Sequence, residues 1–171
     1  GETGNAVQEQ YRTLETARLE AEVTSHTSTD SRTFTLLCSY DADGDAVTTV
    51  TDPGELAGLT AVVSGTDMTL SSEGLQLPAG ASLDICPANC LPYLLRALAD
   101  GYVLEQSSEA LDDTPCLRLA LDTTAPGGGK VLCAVWLDAE GLFPRYAEFS
   151  RNEQVVLTVK LLAFTCTTSE G

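Results

Sequence analysis

The sequence predicts an α+β domain that is mainly β: a wide antiparallel sheet of about eleven strands with helices lying across it. Three observations predict this. Thr, Val, Leu and Ala dominate the ordered stretches, which favours strand over helix. Residues 130–165 then read as three strands in succession. Val131, Cys133, Val135 and Leu137 alternate with Leu132, Ala134, Trp136 and Asp138. The turn Ala139-Glu140-Gly141 leads to Leu142 through Phe149, and Arg151-Asn152-Glu153 leads to Val155 through Phe164. Apolar residues on both parities of the first and third strands require both faces to be partly covered. Finally, Leu91, Leu94, Leu95 and Leu98 repeat at i, i+3, i+4 and i+7, so one helix has an apolar stripe to bury.

From the start of the chain, residues 1–5 are polar and expected to lack order. Asn5, with Gln8 three residues on, can cap a short helix carrying Val7, Tyr11, Leu14 and Arg18 on one stripe. Near Ala17 the period changes: Leu19, Ala21 and Val23 alternate with Glu20, Glu22 and Thr24 as a half-exposed strand. After the polar turn 25–30, a second strand places Phe34, Leu36, Cys38 and Tyr40 on one face. The turn Asp41-Ala42-Asp43-Gly44-Asp45, with Gly44 available for positive φ, returns a third strand from Ala46 to Asp52.

Pro53 to Gly58 breaks the sheet. Short strands are expected over Leu59–Val63, Met68–Ser71 and Leu75–Leu77, the last two joined by Ser72-Glu73-Gly74. Pro78 to Asn89 reads as a long irregular segment. The leucine helix follows, with Pro92 in its first turn, where a missing N–H costs nothing, and Gly101 placed to end it. Tyr102–Ser108 and Cys116–Asp122 resume the strands, and Ala125-Pro126-Gly127-Gly128-Gly129 links them to the closing meander.

At 171 residues the chain suits one domain, with enough length to bury a core. Its net charge is −16, from 25 acidic against 9 basic residues. Nucleic acid is thereby excluded as a partner, since its recognition draws on clustered Lys and Arg. Direct adsorption to anionic headgroups is disfavoured for the same reason. Such charge fits an extracytoplasmic protein kept soluble by it. The opening residues have no basic n-region or apolar h-region, as expected of a mature lipoprotein without its leader and anchor cysteine and equally of any truncated domain.

Catalytic and metal motifs fall short. Asp41, Asp43, Asp45 and Asp52 fit positions one, three, five and twelve of a calcium loop, but Ala46 stands where glycine is required and the flanks are strands. Four of the six cysteines are scattered, and Cys86 and Cys90 are spaced CxxxC, neither a zinc pair nor a thiol-redox CxxC. They read as structural residues, able to pair in a secreted chain or stay reduced in an anaerobe's envelope. His26 stands in a polar turn with no GxSxG element to serve. Lys130 follows three glycines but opens a strand, so GxxxxGK[ST] is not met. No cofactor is expected.

The order of elements, with Asp52-Pro53, Leu56-Ala57-Gly58-Leu59, Trp136-Leu137-Asp138, Leu142-Phe143-Pro144 and Ala147-Glu148-Phe149, resembles the LolA/LolB lipoprotein-carrier superfamily. It is most similar to the lipoprotein branch of Gram-positive bacteria that includes a spore-germination lipoprotein. The resemblance runs from Tyr11 to Phe164. It implies a strongly curved, open antiparallel β-barrel with helices covering its concave face, and a single domain over 1–171. It further implies a lid of Leu91, Leu94, Leu95 and Leu98 over a floor of Phe34, Leu36 and Tyr40, with Trp136 joining if its parity faces inward. The chain departs from the carriers in its few aromatics (6%) and in lacking a matched basic latch for the lid.

Two functional readings stay open. One is a non-catalytic, surface-anchored lipoprotein, a monomer, whose concave face binds a hydrophobic ligand, a lipoprotein acyl chain or an apolar segment of an envelope protein. Membrane association would come only through a lipid anchor. The other is a protein–protein scaffold that holds an envelope partner such as a cell-wall hydrolase without carrying lipid, using an exposed sheet edge or apolar patch.

Overall fold

The computed structural model describes residues 2–72, 75–81 and 84–169. Glu73 and Gly74 of the expected turn, and residues 82–83 of the expected irregular segment, lie outside them. Helix α1 (Glu2–Arg12) leads into β1 (Leu14–His26), β2 (Ser31–Asp41) and β3 (Ala46–Asp52). A 3-10 turn (Gly54–Leu56) precedes β4 (Thr60–Ser64), β5 (Asp67–Ser72) and β6 (Leu75–Ala81). Helix α2 (Cys90–Asp100) follows, then β7 (Tyr102–Leu111), β8 (Thr114–Thr124), β9 (Lys130–Asp138), β10 (Pro144–Arg151) and β11 (Gln154–Thr168).

Among the described residues the strands form one curved, unclosed antiparallel sheet in the order β6-β5-β4-β3-β2-β1-β11-β10-β9-β8-β7. Each neighbouring pair is a hairpin except β1 with β11, which joins the two ends of the chain at the middle of the sheet. That order dictates where α2 must go. β6 and β7 are opposite edges yet consecutive strands, so the chain between them has to cross the whole sheet, and α2 makes the crossing. The only stripe it can turn to the sheet is its apolar one. Leu91, Leu94, Leu95 and Leu98 are fully or almost fully buried, and each contributes roughly 2 kcal/mol by leaving water.

The core lies between the helices and one sheet face. Val7 and Tyr11 of α1 enter it with Leu19, Ala21 and Val23 of β1, Leu36 and Cys38 of β2, and Cys133, Val135 and Leu137 of β9. The Tyr11 hydroxyl donates to Leu142 O (2.8 Å), Gln10 Nε2 to Gly141 O (3.1 Å), and Gln8 Nε2 to Gly101 O, pinning α1 to the β9–β10 turn and the end of α2.

Several boundaries differ from expectation. The helix begins at Glu2, within the stretch expected to lack order, so Asn5 lies inside α1 rather than capping it. It ends at Arg12, and Leu14 and Arg18 belong to β1. Pairing of β1 with both β2 and β11 over its length outweighs the local helical period. Strand β6 continues through Pro78 to Ala81, which a terminal strand tolerates because one side of its ladder is unused. Gly44 is not at positive φ; Asp41 closes the turn instead, accepting from Asp43 N at its carboxylate (2.9 Å) and from Gly44 N at its carbonyl (3.2 Å).

Candidate functional site

The site begins with the segment that delivers α2. Asn89 folds residues 84–90 on themselves: its Oδ1 accepts from Cys86 N (2.9 Å) and its Nδ2 donates to Asp84 O (2.8 Å). Cys90 N donates to Cys86 O (3.0 Å), and Arg151 pairs with Asp84 from β10. Ile85 is buried beneath. Held at both ends, Cys86, Pro87 and Ala88 form one wall of a cavity of about 220 Å³.

The facing wall is the sheet. Phe34 and Leu36 of β2, Thr48 and Val50 of β3, Ala61 of β4 and Leu70 of β5 line it, and Leu56 and Leu59 from the break between β3 and β4 complete it. No lining side chain is charged. Small residues make the room: in this hairpin series, Ala61 and Thr48 stand where larger neighbours would fill the space.

Thr48 is the polar exception. It is 3% exposed, and its hydroxyl has no oxygen or nitrogen partner. Across the strand pair it faces Cys38. Burial pushes the Cys38 thiol up to about 11, and the Thr48 hydroxyl beside it acts against that rise. Cys86 and Cys90 also have thiols raised, chiefly by burial, and Cys133 in the core is pushed up to about 12 for the same reason. All six cysteines are free, and their protonated state makes them poor nucleophiles.

The structure distributes the expected site residues unevenly. Phe34 and Leu36 stand on the cavity wall. Tyr40 is half-buried further along β2 against the core and does not line the cavity. Leu91, Leu94, Leu95 and Leu98 pack into the core beside the cavity and share none of its lining. Trp136 is a correction. On β9 the odd-numbered residues face the helices, and strand alternation sends Trp136 to the outer face. There it packs with Cys116, Ala134, Leu111 and Tyr146, under the Arg118 guanidinium at 5.2 Å from its ring. Cys86, Pro87 and Ala88 were missed because they sit in an irregular stretch with no period. Leu56 and Leu59, apolar residues in an otherwise polar break, were the available signal.

His26 Nε2 meets Thr158 Oγ1 at 3.3 Å, at the end of β1. Among the described residues, no three His, Cys, Asp or Glu side chains are placed to hold a metal ion. Among the described residues, no helix is long and apolar enough to cross a membrane.

No protein-family model matches the chain, and no curated protein matches its sequence. Solved structures do match its fold. A LolA superfamily protein from Nitrosomonas europaea superposes with TM-score 0.52 at 12% identity, over 98% of this chain and 94% of that one. A DUF1329 family protein from Desulfovibrio piger gives 0.56 at 14%, over 99% and 94%. An uncharacterized conserved protein from Thermus thermophilus gives 0.58 at 9%, over 99% and 88%. At such identities the likeness is one of fold: this chain has the open, helix-covered barrel seen in LolA superfamily structures.

Proposed function

We propose that the protein is a non-catalytic binding protein of the cell envelope that holds one hydrophobic group in the cavity beside the start of α2. The observation that carries this is the lining: apolar side chains throughout, with one hydroxyl and no charge. The cavity opens to solvent, with Phe34, Val50, Leu70 and residues 86–88 only partly buried, so a guest covers apolar lining that otherwise faces water. The volume lies below the range of about 300–1,000 Å³ usual for drug-sized ligands, so the guest is a single chain end or one apolar side group rather than a lipid with several chains.

The LolA-like fold supports a lipid or lipoprotein acyl chain as the source of that group, and an apolar segment of an envelope protein fits the same volume. An extracytoplasmic, lipid-anchored location, as in the Gram-positive lipoprotein branch, agrees with the net charge of −16. In this reading α2 is a fixed part of the core beside the cavity, and exchange proceeds past Cys86, Pro87 and Ala88. Mass spectrometry of an organic extract of the purified protein tests it: one acyl-bearing molecule per chain is expected. An extract without acyl species, from protein purified without detergent, contradicts it.

A further inference from the structure

The two edges of the open sheet are built differently. Each carries one register slip against its inner neighbour, between Met68 and Thr69 in the β5–β6 pair and between Val103 and Glu105 in the β7–β8 pair, but only β6 carries a proline, Pro78, which removes a backbone donor. β7 has neither Pro nor Lys in ten residues, and it pairs only with β8. Every residue from Leu104 to Ala110 is exposed, with Tyr102 at 72% and Leu104 at 52%. Gly4 N donates to Gln106 Oε1 (3.1 Å) and Gly4 lies against Val103, so the start of α1 touches these two side chains of the strand, but among the described residues nothing pairs with its outer backbone.

A long strand with unused N–H and C=O groups is a template for another strand. The charges on this hairpin select which one. Glu105 and Glu109 lie on β7, and Asp112 and Asp113 at its tip. Arg118, the sole cation of residues 102–124, is engaged by Glu105 at 3.6 Å. A second copy of a chain carrying −16 would bring like charge to this edge, which is unfavourable across a strand pair. We propose that β7 is the docking edge for an extended, Lys- or Arg-bearing segment of a partner protein. The partner adds as a twelfth strand beside the eleven. Main-chain hydrogen bonds hold it, and the acidic side chains choose it.

The test uses the whole chain with two synthetic peptides of equal charge, one alternating Lys with Val and one alternating Lys with Pro. Backbone hydrogen exchange is followed by mass spectrometry at low and at physiological salt. The Lys-Val peptide is expected to slow exchange across β7 at least tenfold while leaving β6 unchanged, and the Lys-Pro peptide, which cannot form a ladder, is expected to do neither. Glu109→Lys, at an exposed position, should weaken the Lys-Val effect at least tenfold. Equal protection by both peptides, protection confined to the acidic turns, or no protection of β7 overturns the proposal. So does protection of β7 that rises with protein concentration in the absence of peptide, which would assign the edge to a second copy.

Discussion

Buried thiols carry a pH dependence that follows from their surroundings. Cys38 and Cys133 are raised to about 11 and about 12 from an ordinary value of 9.0, both chiefly by burial. Between pH 9 and pH 11 the unfolded chain loses these protons while the folded chain keeps them, so stability falls as pH rises. The contribution is fully present below pH 9 and is lost through the folded values, at about 1.4 kcal/mol per pH unit for each thiol. The Tyr11 hydroxyl, raised by burial and by its neighbours Cys166 and Asp138, acts in the same direction. Urea unfolding at pH 8 and pH 10 should show a drop of a few kcal/mol, and Cys133→Val should flatten that drop by about a third to a half. An unchanged midpoint would contradict the burial of these groups. Trp136 supplies a second test at this scale. Being the one tryptophan and facing outward, it should report no change in emission when a ligand fills the cavity, and Trp136→Phe should leave affinity within twofold. A shift in its emission on binding would place the guest on the other face.

Among the elements, α2 and its lead-in have separate duties. The leucine stripe is core, so Leu94→Ala or Leu98→Ala should cost about 2–5 kcal/mol in chemical unfolding, whether or not ligand is present. A loss under 1 kcal/mol would mean the stripe faces open space. The lead-in, fastened by Asn89 and by Arg151 with Asp84, shapes the cavity instead. Asn89→Ala should loosen ligand affinity more than it lowers stability, which a paired titration and melt would show. The helix was legible in the sequence because four leucines at helical spacing between Pro92 and Gly101 permit little else. The cavity wall was not. Cys86-Pro87-Ala88 has no period to read, and its place is fixed by Asn89 reaching back five residues to Asp84, a contact no spacing announces. Trp136 was legible only to parity. Both sets of β9 positions are apolar, so alternation could say that Trp136 opposes Val135 but not which of them faces the helices.

At the scale of the molecule, the eleven-stranded order was foreshadowed by hairpin spacing, since consecutive turns leave few alternatives to a meander. The curvature and the open seam came from the family resemblance, and the closure of β1 on β11 needs the whole chain at once. That closure brings β1 and β11 together at the centre of the sheet and leaves β6 and β7 as its two edges, with α2 as the strap between them. The central claim is that a small apolar cavity beside the lead-in to this strap exists to be occupied. It is tested most directly by titrating the delipidated protein with a fluorescent long-chain fatty acid, beside the variant Ala61→Phe, whose ring fills the cavity from β4. Saturable binding at one molecule per chain is expected for the native protein, with at least a tenfold loss in A61F and a melting temperature no lower than the parent's. Equal binding by both proteins would contradict it.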